Sequence, residues 1–261
     1  MIISILGCGW YGKALGIALL NSSYDVKGST TSADKIDILR AEGIKPYLID
    51  LSHEKQVIDN DFFACDVLWI CIPPRARAGK GAEYLLQINQ LIPLIKQNQI
   101  KHVVLISSTG VYGDNNATVN ELNHPEPDSE AGKILLEAEQ LLSAETAFTT
   151  TIIRFGGLFG PGRDPGRFFA GKTDIPNGDA PVNMIDLTDC IGVSLSLLEK
   201  KAFGNIFNAV SPQHPTRAEF YTQAAKRSGL AMPQFIAEKK NWKIVESVNV
   251  PTLLQYAFRW I

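Results

Sequence analysis

The stretch that most restricts the fold is residues 2–20, IISILGCGWYGKALGIALL. An apolar β-type run, Ile2 to Leu6, leads directly into Gly7, Gly9 and Gly12, spaced as G-x-G-x-x-G, and the third glycine opens a helical run towards Leu20. Alone, that spacing says little. Between a strand and a helix it describes a turn in which Gly7 permits the tight reversal, Gly9 leaves the backbone open to a pyrophosphate, and Gly12 lets the helix approach the sheet. The helix start then offers unpaired N–H groups and a partial positive charge to phosphate. Gly16 reads as a helix-packing residue.

The first two thirds of the chain repeat this alternation. Further strands are expected at 24–28, 45–49, 67–72, 103–107 and 149–155, and helices at about 33–42, 82–97 and 130–142. Such alternation implies an α/β, doubly wound parallel sheet with helices on both faces. Residues 67–72 are continuously apolar, as a strand covered on both faces should be. The character changes after Phe155. GGLFGPGRDPGRFFAGK is a Gly/Pro-dense loop, VNMIDLTDCIGVSLSLLE reads as a strand entering a helix, and 215–228 reads as another helix. The expected division is a nucleotide-binding domain over 1–155 and a small lobe over 156–261. The lobe packs on the carboxyl edge of the sheet, and a strand near 204–210 rejoins that sheet.

Composition removes several function classes. The 25 basic and 27 acidic residues nearly cancel, which argues against a nucleic-acid or anionic-membrane partner. No apolar run reaches the roughly 18 residues of a transmembrane helix, and no basic segment precedes the first strand. Cys8, Cys65, Cys71 and Cys190 show no metal-ligand spacing and read as reduced thiols of a cytoplasmic protein. His53, His102, His124 and His214 form no cluster, so no metal is expected.

For the dinucleotide, an NAD site would place an acid at the end of the second strand. Asp25 comes too early, and Ser29, Thr30 and Thr31 stand there instead. With Lys35 they could hold a 2′-phosphate, or they simply cap the next helix; the expectation leans to NADP over NAD. Asp50 and Leu51 follow the third strand, where an adenine edge could bond. Ile72, Pro73 and Pro74 end the fourth, beside the pyrophosphate and ribose. Arg75 and Arg77 come next, facing either phosphate or solvent.

The glycine loop, the strand ending SSTGVYGD, the later FGGLFGPGR and the segment NMIDLTD together resemble the extended short-chain dehydrogenase/reductases. These are the Rossmann-fold, NAD-dependent epimerase/dehydratase enzymes that act on nucleotide sugars. The resemblance runs from residue 1 to about 220. SSTGVYGD and GPGRDPGRFFAGK are most similar to the atypical, YeeZ-like branch. It implies a Ser or Thr after the fifth strand, a proton-passing Tyr, and a Lys four residues beyond that Tyr. Ser108 falls at the first position and Lys133 at the last, but the residue four before Lys133 is Ser129 and the tyrosine is absent. Tyrosine has a pKa of about 10, which a neighbouring ammonium can lower; a serine hydroxyl is a far weaker acid. Tyr112 could supply the phenol or serve as a packing or substrate wall, and Asp128 and Glu130 read either as acids or as helix-start carboxylates.

The expected catalytic set is therefore Ser108, Lys133 and Tyr112. The resemblance adds Trp10, Tyr11, Ser107, Lys133 and Phe155 on the cofactor side, and Thr109, Arg154, Arg163, Arg167 and Lys172 on the substrate side. Phe168 and Phe169 would form an aromatic wall there or close the core. Asp189 would bond backbone to fix the lobe, and the helices at 82–97 and 130–142 would correspond to a homodimer surface. The implied function is an NAD(P)-binding oxidoreductase or epimerase/dehydratase-like enzyme acting on a nucleotide sugar or a small polar carbonyl or alcohol. The alternative is a dinucleotide-binding sensor with little catalysis.

Overall fold

The computed structural model describes residues 1–52 and 59–259; His53 and the side chain of Arg77 lie outside the described residues. Seven strands form one parallel sheet: β1 (Ile2–Leu6), β2 (Asp25–Thr30), β3 (Lys45–Leu48), β4 (Val67–Ile70), β5 (His102–Ser108), β7 (Thr149–Phe155) and β10 (Ile206–Ala209). Their order is β10-β7-β5-β4-β1-β2-β3. The chain builds outward from β1 to β3 on one side, then returns to build from β4 to β10 on the other. The reversal falls between β1 and β4, where the carboxyl ends of an open α/β sheet leave a crevice.

Both sheet faces are covered. On one, α3 (Gly81–Gln97) and α4 (Glu130–Ser143) bury Ile88, Leu91, Ile95, Leu135, Ala138 and Leu142 against Leu68, Ile70, Val103 and Leu105. On the other, α1 (Trp10–Asn21), α2 (Ile36–Ala41) and α5 (Leu187–Lys200) pack Leu15, Leu19, Leu39, Val193 and Leu197 against Ile3, Ile5, Trp69 and Ile153. Successive strand residues point to opposite faces, so β4 must be apolar throughout: all four of its residues are buried. Pro93 lies inside α3.

β10 pairs with β7, Phe207 opposite Ile153, and forms one edge of the sheet. Two short parallel pairs lie outside it: β6 (Ala117–Val119) with β11 (Lys243–Val245), and β8 (Gly157–Phe159) with β9 (Met184–Asp186). Helix α6 (Arg217–Arg227) starts on a reciprocal Thr216–Glu219 capping box. Asp189, on the first turn of α5, accepts from the Arg259 N–H at 3.0 Å and the Tyr256 hydroxyl at 2.7 Å. It thus ties the C-terminal segment down through backbone. No helix among the described residues is long and apolar enough to cross a membrane.

Candidate functional site: a crevice at the glycine loop

Each glycine of the loop has its own reason. Gly7 has φ +99°, a left-handed conformation that disfavours any side chain. A Cβ on Gly12 would stand 2.4 Å from the carbonyl oxygen of Gly7, so helix and loop touch backbone to backbone. Gly9 differs: its φ is −77° and a Cβ there would meet nothing within 4 Å. Neither strain nor packing by the described residues demands glycine at that position. The space its missing side chain leaves belongs to the crevice it lines.

Helix α1, which Gly9 caps, has no side-chain cap and no acid in its first turn. Helices α4, α5 and α6 are capped by Ser129, Asp186 and Thr216; α2 and α3 also lack a side-chain cap but carry Asp37 and Glu83 in their first turns. The first N–H groups of α1 are left to an anion. Ser29 fixes the loop, its hydroxyl accepting from the Gly7 N–H at 2.9 Å. Burial pushes the Cys8 thiol up to about 12, so it stays protonated and inert.

The crevice has a volume of about 370 Å³. From the expected set it gathers Gly7, Gly9, Ser29, Thr30, Asp50, Ile72, Pro73 and Pro74, together with Thr31, Lys35 and Arg75. Lys80 and Glu83 pair with each other at 3.3 Å. Neither Lys35 nor Arg75 has an ion pair among the described residues, so two free cations face a space suited to phosphate. Arg75 adopts φ +45°, ψ +30°, a strained backbone of the kind found beside ligand sites. The residues present thus fit a dinucleotide: open amides, a cradle at Gly9 and unpaired cations.

Other expected contacts lie elsewhere. The Tyr11 side chain is buried edge-on against Phe155, its hydroxyl 2.6 Å from Ser194 Oγ. Phe155 and Leu51 are core residues. Only backbone at these positions remains for a ligand. The Thr30 hydroxyl accepts from the Ser32 N–H at 3.2 Å. Trp10 donates from Nε1 to the Pro161 carbonyl at 2.7 Å, with the Arg163 guanidinium 5.4 Å from its ring centre. The GPGR turn is thereby clasped to the start of α1.

The carboxyl end of β5 leads into buried polar structure. Ser107 donates to Glu139, which also takes bonds from Arg154 at 3.1 and 2.6 Å. Arg154, expected to face substrate, is 2% exposed and spends its charge inside the fold. Its other guanidinium nitrogen donates to the Tyr112 hydroxyl at 2.7 Å. That hydroxyl donates to the Asn120 carbonyl at 3.0 Å, with Asn208 Oδ1 at 3.2 Å. Burial raises the Tyr112 pKa, and the residue is 1% exposed; it borders a separate hollow with Gly113, Asn123 and Glu126 and does not line the crevice at the glycine loop.

Ser108 remains half-buried, its hydroxyl accepting from the Gly110 N–H at 3.1 Å. Thr109 is buried. Lys133 is exposed on the first turn of α4. Ser129, four residues before it, is the N-cap, its hydroxyl accepting from the Gly132 N–H at 3.2 Å. Asp128 is not the cap; it accepts from the Asp114 N–H at 2.9 Å.

A second hollow, of about 220 Å³, opens on the C-terminal side between Asp114, Asn183, Arg217, Tyr221, Trp242 and Lys243. Lys243 donates to Asp114 and to the Tyr112 carbonyl, both at 2.7 Å. Arg167 and Lys172 are exposed outside its lining. Lys172 and Arg217 flank Phe169, 5.6 and 5.0 Å from its ring centre.

The fold and the crevice define a Rossmann protein that binds a dinucleotide. Over residues 7–194 the sequence matches the NAD(P)H-binding family, and the chain belongs to that family; the cofactor class is NAD(P). Protein YeeZ of Escherichia coli K12 is 36% identical over 264 residues, covering 99% of this chain and 96% of its own. Among solved structures, UDP-glucuronic acid 4-epimerase from Bacillus cereus, in complex with NAD, superposes with a TM-score of 0.82 at 22% identity, covering 100% and 93% of the two chains. A short-chain dehydrogenase/reductase superfamily protein from Agrobacterium tumefaciens with bound NAD gives 0.79 at 18% identity, covering 100% and 93%. At those identities the likeness is one of fold.

Proposed function

We propose that the protein is an NAD(P)-dependent oxidoreductase of the epimerase/dehydratase kind. Its substrate would be a nucleotide sugar or another small polar carbonyl or alcohol. The observation that carries this is the α1 terminus beside Gly9, with neither a side-chain cap nor a first-turn acid, at a position whose openness serves no atom of the described residues. The dinucleotide would supply hydride chemistry. Ser108 would hold the substrate oxygen, Lys133 would bond the ribose, and the hollow bordered by Arg217 and Lys243 would take the polar remainder of the substrate. In this reading the domain ends near residue 155 and the rest forms the substrate lobe. Helices α3 and α4 would carry a homodimer contact, where Leu86 is 63% exposed. Four unpaired thiols suit a reducing cytoplasm.

One observation favours a second reading, a dinucleotide sensor with little turnover. The hydroxyl four residues before Lys133 is already engaged as a helix cap, and a helix-capping serine is a poor proton donor. General acid–base help is worth about 10²–10⁴-fold in rate, so an unaided site would be slow. Saturating the protein with NADPH and then NADH, and following nicotinamide absorbance against nucleotide sugars and small carbonyls, separates the two. Turnover supports the enzyme, tight binding without turnover supports the sensor, and failure of both dinucleotides to bind at millimolar concentration removes both readings.

Within this reading NADP is preferred. Thr30 ends β2 and lines the crevice with Thr31 and Lys35, whereas Asp34, just before Lys35, is not in the lining, and the acids that are, Asp50 and Glu83, come from after β3 and from α3. Lys35→Ala is expected to weaken NADPH binding about tenfold, the loss of one charge-assisted bond, while NADH affinity stays within about twofold. Equal loss for both would assign Lys35 to the diphosphate instead.

A further inference from the structure

Tyr84 sits near the start of α3, its ring 1% exposed, and it lines the crevice. Its hydroxyl has no hydrogen-bond partner among the described residues. Buried polar groups are paired in the great majority of cases, and an unpaired one costs stability. The packing that puts it there is tight. A Cβ on Gly81 would fall 2.0 Å from Ile134 Cδ1, so α3 starts pressed against α4, and the Tyr84 N–H is spent on the Lys80 carbonyl at 3.1 Å. Gln87, one turn on and on the same helix face, also lines the crevice, and its amide has no partner among the described residues. Burial raises the phenol's pKa, with Glu139 and Cys71 adding to it, so the hydroxyl keeps its proton at neutral pH and is a donor.

We propose that Tyr84 is a ligand-binding residue whose hydroxyl donates to an acceptor oxygen in the ADP-ribose part of the bound dinucleotide. The assignment rests on the dinucleotide reading of the crevice. It goes beyond that reading by naming a contact supplied from α3, outside the glycine loop and outside the Ser–Lys positions. The ADP-ribose part is favoured because Tyr84 shares the crevice with Gly7, Gly9 and Ser29, at the phosphate-facing loop. The hydroxyl is then an unsatisfied group kept for a ligand, a stability cost that binding removes.

The test is Tyr84→Phe, which retains the ring and removes the oxygen. Melting temperatures are read without ligand, and affinities for NADPH, NADH and ADP-ribose by calorimetry. The expected result has opposite signs. The ligand-free variant melts about 2–4 °C higher, since an orphaned polar atom has gone. All three ligands that wild type binds bind about tenfold more weakly, one lost hydrogen bond. If wild type binds the dinucleotides and Tyr84→Phe binds them equally well, the assignment to Tyr84 is overturned and the dinucleotide reading stands. A variant that melts lower than wild type shows a hydroxyl serving the fold and overturns it too. A loss seen with NADPH and NADH but not ADP-ribose overturns the placement on that part of the ligand. If wild type binds none of the three, both the dinucleotide reading and this contact are lost.

Discussion

Glu139→Ala is expected to lower the melting temperature by roughly 10 °C, the largest stability loss of any single side chain discussed above. Glu139 and Arg154 both have side chains 3% exposed, with 2.6 Å between Oε2 and Nη2. The carboxylate neutralises a guanidinium that has no route to water, and it also receives the Ser107 hydroxyl. Removing it leaves Arg154 charged and buried, with only the Tyr112 hydroxyl as an acceptor among the described residues. Breaking one partner of a buried pair costs about 3–5 kcal/mol; for a chain of this size each kcal/mol is worth about 2–4 °C. The pair's net worth is a different quantity, because both ions were desolvated to make it. Replacing both, Glu139→Leu with Arg154→Met, should therefore recover most of the loss. Thermal unfolding of the three proteins checks this: a single variant within about 1 °C of wild type would mean that water reaches Arg154 after all.

That pair also shows what the sequence concealed. Alternation of strands and helices was readable because each element is long enough to display its period: TTTIIRF and EAGKILLEAEQLLS carry their apolar faces openly. Arg154 at the end of an apolar strand reads naturally as a charge delivered to the sheet edge. Its burial depends on Glu139 lying opposite, which is a tertiary fact. One signal was present. Glu139 lies four residues after Leu135 and three before Leu142, on the face of α4 that otherwise enters the core. A carboxylate on that face needs a cation, and β7 supplies one.

The three-residue strands β6, β8 and β11 are too short to show a period at all; β9, equally short, was legible only because it runs straight into α5. The glycine loop was legible because glycine answers a backbone requirement that is local. Tyr84 was not, since a tyrosine on the inner face of a helix looks like core, and nothing in a sequence marks a hydroxyl left without a partner.

Gly9→Val and Gly12→Ala should separate what the loop owes to ligand from what it owes to fold. At Gly9 the φ of −77° and ψ of −153° suit an L-residue, and no atom lies within 4 Å of the added Cβ. The variant should keep its melting behaviour to within about 1 kcal/mol, the usual span of an N-cap change. Its branched side chain would occupy the approach to the α1 amides. Each charge-assisted bond forfeited there is worth about 1.5–3 kcal/mol, so NADPH and NADH should both bind at least about 100-fold more weakly. At Gly12 the added methyl would meet the backbone oxygen of Gly7 at 2.4 Å, and neither helix nor loop can yield cheaply. That variant should lose about 1–3 kcal/mol of stability, the range for overpacking, with weaker binding as a consequence of the displaced loop. Calorimetric titration beside thermal unfolding reads both. If Gly9→Val bound either dinucleotide as wild type does, the open space at Gly9 would not be where the diphosphate lies, and the α1 terminus would lose its claim to be the anion site.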